Sequence, residues 1–166
     1  MQAMGQAVGK VADLDEEVLH DFLRPSLREI RKRLRELGAV KYDLWLPETR
    51  SLPHVIRPAE RIEGVVYGRY VQPGEHQTVG RGVFVATDQR LLLLDKKPLF
   101  VRCDEIPYEV VGGVTYSKVP LAVTLVLHSR TGDISLRTFN ERCARGFVDA
   151  LEERLRTRGT NHPAAM

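Results

Sequence analysis

The residues with catalytic potential in this chain are few and widely spaced. The five histidines, His20, His54, His76, His128 and His162, have no metal-ligand spacing to one another or to the two cysteines, Cys103 and Cys143. Gly80-Arg81-Gly82 lacks the Lys-Ser/Thr pair of a phosphate-binding loop and opens a strand pattern instead of a helix. No G-x-S-x-G elbow is present. These absences lead to the expectation of a non-enzymatic chain with no catalytic residue, cofactor or metal. The two cysteines form no C-x-x-C pair, and the pattern suits buried free thiols in a reducing compartment.

Charge is the other chemistry available. Basic residues exceed acidic ones by three, a mild excess. It is concentrated in one stretch, where Arg24, Arg28, Arg31, Lys32, Arg33 and Arg35 are opposed only by Glu29 and Glu36. Two readings stay open for it: a solvated face behind a buried Leu/Ile stripe, or a surface for anionic lipid, nucleic acid or an acidic partner. Nucleic acid is disfavoured, because no aromatic residues interleave with the arginines.

The elements that must position these residues follow from periodicity. The 166 residues suit one domain with an extension, and 43% hydrophobic content is enough for a single core. Residues 1–12 read as a disordered lead without a signal peptide. Residues 13–60 read as a helical extension and connector. Asp13 and Glu16 open one helix, with Leu14, Val18, Leu19, Phe22 and Leu23 on its apolar face. After Pro25, Ser26 and Glu29 form a capping box for a second helix with stripe Leu27, Ile30, Leu34 and Leu37, ended by Gly38. Trp45 is expected to plug this hairpin against the rest of the fold, and a short helix fits residues 48–54.

From Arg61 the period becomes that of strands. Seven are expected, over residues 61–71, 79–86, 90–95, 99–106, 108–118, 121–129 and 134–139, separated by Gly, Pro, Asp and Lys turn signals. Gly64 and Gly68 fall on one face of the first, as the bending of a small barrel requires. In the sixth, Leu121, Val123, Leu125 and Leu127 point one way. Asn140 then caps a last helix whose apolar face is Cys143, Phe147, Val148, Leu151 and Leu155. The barrel with its helix occupies residues 61–158, and residues 159–166 read as a flexible tail. No segment approaches the length of apolar chain needed to span a bilayer. The expected location is cytoplasmic, with any membrane contact peripheral.

Seven strands and a helix is the order of the pleckstrin-homology (PH) fold, and local residues strengthen the likeness. The run from Gly82 to Leu94, with Thr87-Asp88-Gln89-Arg90-Leu91 at its centre, resembles the core of bacterial PH-like domains. So do Glu105-Ile106-Pro107-Tyr108-Glu109-Val110-Val111, the terminal Phe147-Val148-Asp149-Ala150-Leu151, and the lead-in Leu52-Pro53 through Pro58-Ala59-Glu60-Arg61-Ile62. The resemblance implies an α+β fold: a PH-like seven-stranded antiparallel β-barrel capped by a C-terminal helix and preceded by a helical hairpin. Thr87 and Asp88 suit a tight turn, with Arg90 pairing Asp88 or lying across the sheet.

The resemblance also implies a binding module. In PH topology the one-two, three-four and six-seven turns share an open end, which gathers Arg81, Lys96, Lys97, His76 and Arg130 as candidate anion-binding residues. Each exposed cation near an anionic surface contributes about 1 kcal/mol. Arg69 and Arg81 stand on strands one and two, but the first loop offers Glu75 and only His76. A protein partner or self-association therefore leads as the expected function. Weak peripheral binding to anionic membrane, through the basic loops and the basic helix, is the alternative.

Overall fold

A computed structural model describes residues 18, 23–73 and 78–160. Of the expected first helix only Val18 and Leu23 are described, and His76 lies outside the described residues. Among the described residues the longer helices are α1 (Leu27–Glu36), α2 (Pro47–Val55) and α3 (Glu141–Thr160), which accompany seven strands. The strands are β1 (Ile62–Gln72), β2 (Thr78–Thr87), β3 (Leu91–Lys96), β4 (Val101–Ile106), β5 (Val111–Val119), β6 (Ala122–Ser129) and β7 (Ile134–Thr138). They form one antiparallel sheet in the order β4-β3-β2-β1-β7-β6-β5. β4 and β5 are its two edges, so the expected barrel is an open, bent sheet and not a closed cylinder.

One face of the sheet meets α3. Val66 and Tyr70 of β1, Phe84 of β2, Leu91 and Leu93 of β3, and Leu125 and Leu136 further round pack with Phe147, Val148 and Leu151. The close approach of α3 to β1 depends on Gly64, where a Cβ would lie 2.9 Å from the Phe147 Cα. Asn140 caps α3 as expected, accepting the Cys143 N–H at 3.1 Å and donating to the Gly38 carbonyl at 2.9 Å.

The opposite face of β1–β3 is also buried. Ile30 and Leu34 of α1, Leu44, and Leu52 of α2 cover Val65, Tyr67, Val83, Val85, Leu92 and Leu94. This is why Leu91–Leu94 is apolar on both sides: the strand lies between two layers. α1 begins at the expected capping box, with the Glu29 N–H on Ser26 Oγ at 3.2 Å and the Ser26 N–H on Glu29 Oε2 at 2.8 Å. Gly38, at φ 102°, ends the helical turn in the left-handed region.

Several local expectations are corrected. Leu99 and Phe100 lie exposed in the β3–β4 turn and β4 starts at Val101, because no layer covers that end of the sheet. Leu121 does not join the inward row of β6. It sits in the β5–β6 turn, 91% exposed, with φ 69°. Residues Tyr108–Val110 form a 3-10 turn that tucks the Tyr108 ring into the core before β5 begins. Trp45 is not a plug. It is 56% exposed, with the Arg31 guanidinium over its ring at 4.1 Å, and neighbouring Leu44 takes the buried position. Of the free cysteines Cys143 is buried but Cys103 is exposed, since it falls on an edge strand.

Candidate binding surfaces

The most polar buried constellation is structural. Arg90 donates from Nε to Glu60 Oε1 at 2.9 Å, from Nη1 to Glu105 Oε2 at 2.9 Å and from Nη2 to the Val55 carbonyl at 2.8 Å. Thr87 Oγ1 donates to Glu60 Oε1 at 2.7 Å and accepts the amides of Gln89 and Arg90. Asp88 turns the other way and accepts the Arg61 N–H at 2.8 Å. Arg90 thus pairs with Glu60 and Glu105, not with Asp88. Burial alone would push the Glu60 carboxyl up, but hydrogen bonds from Arg90, the Arg57 amide and Thr87 bring it below its usual range. Every polar group in this cluster is occupied by another, which ties the connector after α2 to β2, β3 and β4. That suits a clasp and not a reacting centre. Among the described residues no three His, Cys, Asp or Glu side chains come together as a metal site.

A second buried pair lies at the open end. Tyr70 donates its hydroxyl to Asp95, against the glycines Gly80 and Gly82. Burial and the Asp95 carboxylate both push the Tyr70 phenol up. Lys97 Nζ lies 2.8 Å from the same carboxylate, so this candidate anion ligand already has a counter-ion. Arg130 is exposed in the β6–β7 turn.

The basic helix is partly committed to the fold. Arg31 Nε donates to the Leu44 carbonyl at 2.9 Å and Arg33 Nε to the Ile62 carbonyl at 2.8 Å. Arg24 Nη1 reaches the His54 carbonyl at 3.4 Å. Arg28, Lys32 and Arg35 face solvent.

Arg81 and Lys96 belong to a different arrangement. In the sheet register Arg81 of β2 is opposite Arg69 of β1, and Arg69 is opposite Arg137 of β7. Gly82 pairs with Asp95, and the same register sets Lys96 beside Arg81. All four side chains are exposed on the face away from α3. Sequence reading found Arg81 and Lys96 as turn residues. Their alignment with Arg69 and Arg137 is invisible without the strand register, although the outward parity of Arg137 on β7 was a usable signal.

The sheet edges also differ. β4 carries Arg102, Asp104 and Glu105, charges that discourage another strand from pairing there. β5, nine residues long, carries only Lys118, whose amine is held by Glu141 at 3.0 Å. At its end Val119 and Leu121 are exposed, and Phe139 follows β7 83% exposed.

Comparison with known proteins bears on the fold. The sequence profile described as "Bacterial PH domain" matches residues 56–153. No curated protein matches the chain. Among solved structures, the Vps36 N-terminal PH domain is similar at 19% identity and a TM-score of 0.50, covering 64% of this chain and 86% of its own. A DUF1696-family protein with a pleckstrin-homology domain from Shewanella loihica is similar at 16% identity and a TM-score of 0.44, over 64% of this chain and 89% of its own.

Proposed function

The chain belongs to the bacterial PH domain family, and on that footing we propose that it is a non-enzymatic binding module of the cytoplasm that works by protein contact at the β5 edge. The observation that carries this is the contrast between the two edges. β4 is blunted by three charged residues, whereas β5 presents nine residues with a single charge that is already neutralised. An edge of that kind pairs with an added strand, from a second copy of the chain or from a partner. Leu121 supports the reading: a bulky residue in the left-handed region is disfavoured, and here it displays an apolar side chain at the tip beside β5.

Light scattering on a size-exclusion column tests it. The wild-type mass should rise above the 18.8 kDa of one chain as concentration increases. The Thr115→Glu/Val119→Glu variant, which charges the edge, should stay at the single-chain mass. A wild-type protein that remains a strict monomer and retains no partner in a pulldown would count against the reading.

One observation favours a second reading, weak peripheral binding to anionic membrane. Leu99 and Phe100 are exposed in the turn that follows Lys96 and Lys97, an apolar tip beside two cations. Co-sedimentation with anionic vesicles at low and high salt decides it. Absence of binding at low salt would sink it.

A further inference from the structure

The row Lys96, Arg81, Arg69 and Arg137 lacks the carboxylate partners that many of the chain's arginines have. Arg33, Arg57, Arg61, Arg90, Arg102 and Arg154 all pair with carboxylates. No side chain among the described residues makes an ion pair with any member of the row. Like charges directly opposite across a sheet repel one another, and Arg69 faces an arginine on both sides. Three strand spacings of about 4.8 Å give the row a length of roughly 14 Å.

The row lies at the foot of a step. α1 and α2 cover the outward face as far as Tyr67, Val83 and Leu94, and the next outward positions on those strands are Arg69, Arg81 and Lys96. The helical layer stands about 10 Å above the sheet, which holds a flat bilayer off the row but leaves space for a narrow chain. Two carboxylates of that layer are nearby: Asp43, against the Val40 amide, and Glu48, which accepts the Lys96 N–H at 3.2 Å. Both are buried under the helices and neither pairs with a cation of the row.

We propose that this row is the docking site for the chain's own acidic stretch, residues 13–21. That stretch contains Asp13, Asp15, Glu16, Glu17 and Asp21 and no lysine or arginine. The chain leaves it at Arg24, which contacts His54 near the end of α2, and the row begins at the other end of α2, beside Glu48. The nine residues of α2 span about 13 Å. Nine extended residues reach on the order of 30 Å, so the stretch can lie along the row of its own chain. Val18, the described residue of the stretch, is helical and 55% exposed, so docking draws the stretch out of that turn. The row lies on β3, β2, β1 and β7 and does not include the β5 edge.

Fluorescence anisotropy with a dye-labelled synthetic peptide of residues 11–23 tests it on the full chain. If the tethered stretch occupies the row about nine-tenths of the time, the free peptide binds wild type about tenfold more weakly than an unoccupied row. A variant with Asp13→Asn, Asp15→Asn, Glu16→Gln, Glu17→Gln and Asp21→Asn should therefore bind the peptide about tenfold more tightly than wild type. Adding Arg69→Gln, Arg81→Gln and Arg137→Gln should remove that gain, while Arg130→Gln or Thr115→Glu/Val119→Glu should leave it. Equal binding by wild type and the neutralised variant would overturn the proposal, as would undiminished binding after the three arginine substitutions. Displacement of the peptide by phosphatidylserine vesicles or single-stranded oligonucleotide at lower concentration than by unlabelled peptide would also overturn it, giving the row to membrane or nucleic acid. Circular dichroism confirms that each variant is folded.

Discussion

Arg90 makes four side-chain hydrogen bonds, and its side chain is only 9% exposed beside a Glu60 side chain at 0%. Removing one partner of such a pair leaves an uncompensated buried charge. Arg90→Ala should cost about 3–5 kcal/mol in urea unfolding. A change under 1 kcal/mol would show that the cluster does not hold the connector in place. Glu60 adds a pH dependence. Its carboxyl is held below the usual range in the folded chain, so its contribution is present above the unfolded value of about 4.3 and is lost as pH falls through the lower folded value. The Arg90→Ala variant should lose this part of the acid dependence. The Thr-Asp-x-Arg run was legible as a turn in the sequence. The partners of Arg90 were not, because Glu60 and Glu105 lie 30 and 15 residues away. Only the sheet register brings the three together.

The strands and α3 were legible because alternation and helical spacing hold over whole segments. Their ends were less so. Leu99, Phe100 and Leu121 extend apolar runs past the last covered position, and nothing local marks where a covering layer stops. Trp45 was misassigned for the same reason: three apolar residues in succession do not say which one turns inward. Packing between α3 and β1 gives a sharper test of the element scale. Gly64→Ala would set a methyl group 2.9 Å from the Phe147 backbone and 3.3 Å from the Ala150 side chain. Since the nearest atom is backbone, α3 must shift, and a loss of about 1–3 kcal/mol is expected in thermal or urea unfolding. An unchanged stability would mean that α3 sits further from β1 than described.

At the scale of the whole molecule, a bent open sheet is buried on one side by α3 and, over β1–β3, on the other by α1 and α2. Placing those helices on the sheet lay beyond the sequence, which shows amphipathic stripes but not what they face. We propose that residues from α1 onward fold with the sheet as one unit, since Ile30, Leu34 and Leu52 share a core with Val65 and Leu92. Among the surfaces that the two layers leave open is the β5 edge. Hydrogen–deuterium exchange read along the chain at rising protein concentration measures it directly. Amides of Val111–Val119 should become protected as concentration increases or a partner is added, while those of β4 stay unchanged. Exchange in β5 that stays the same at every concentration and with every partner would contradict the assignment of that edge as the contact surface.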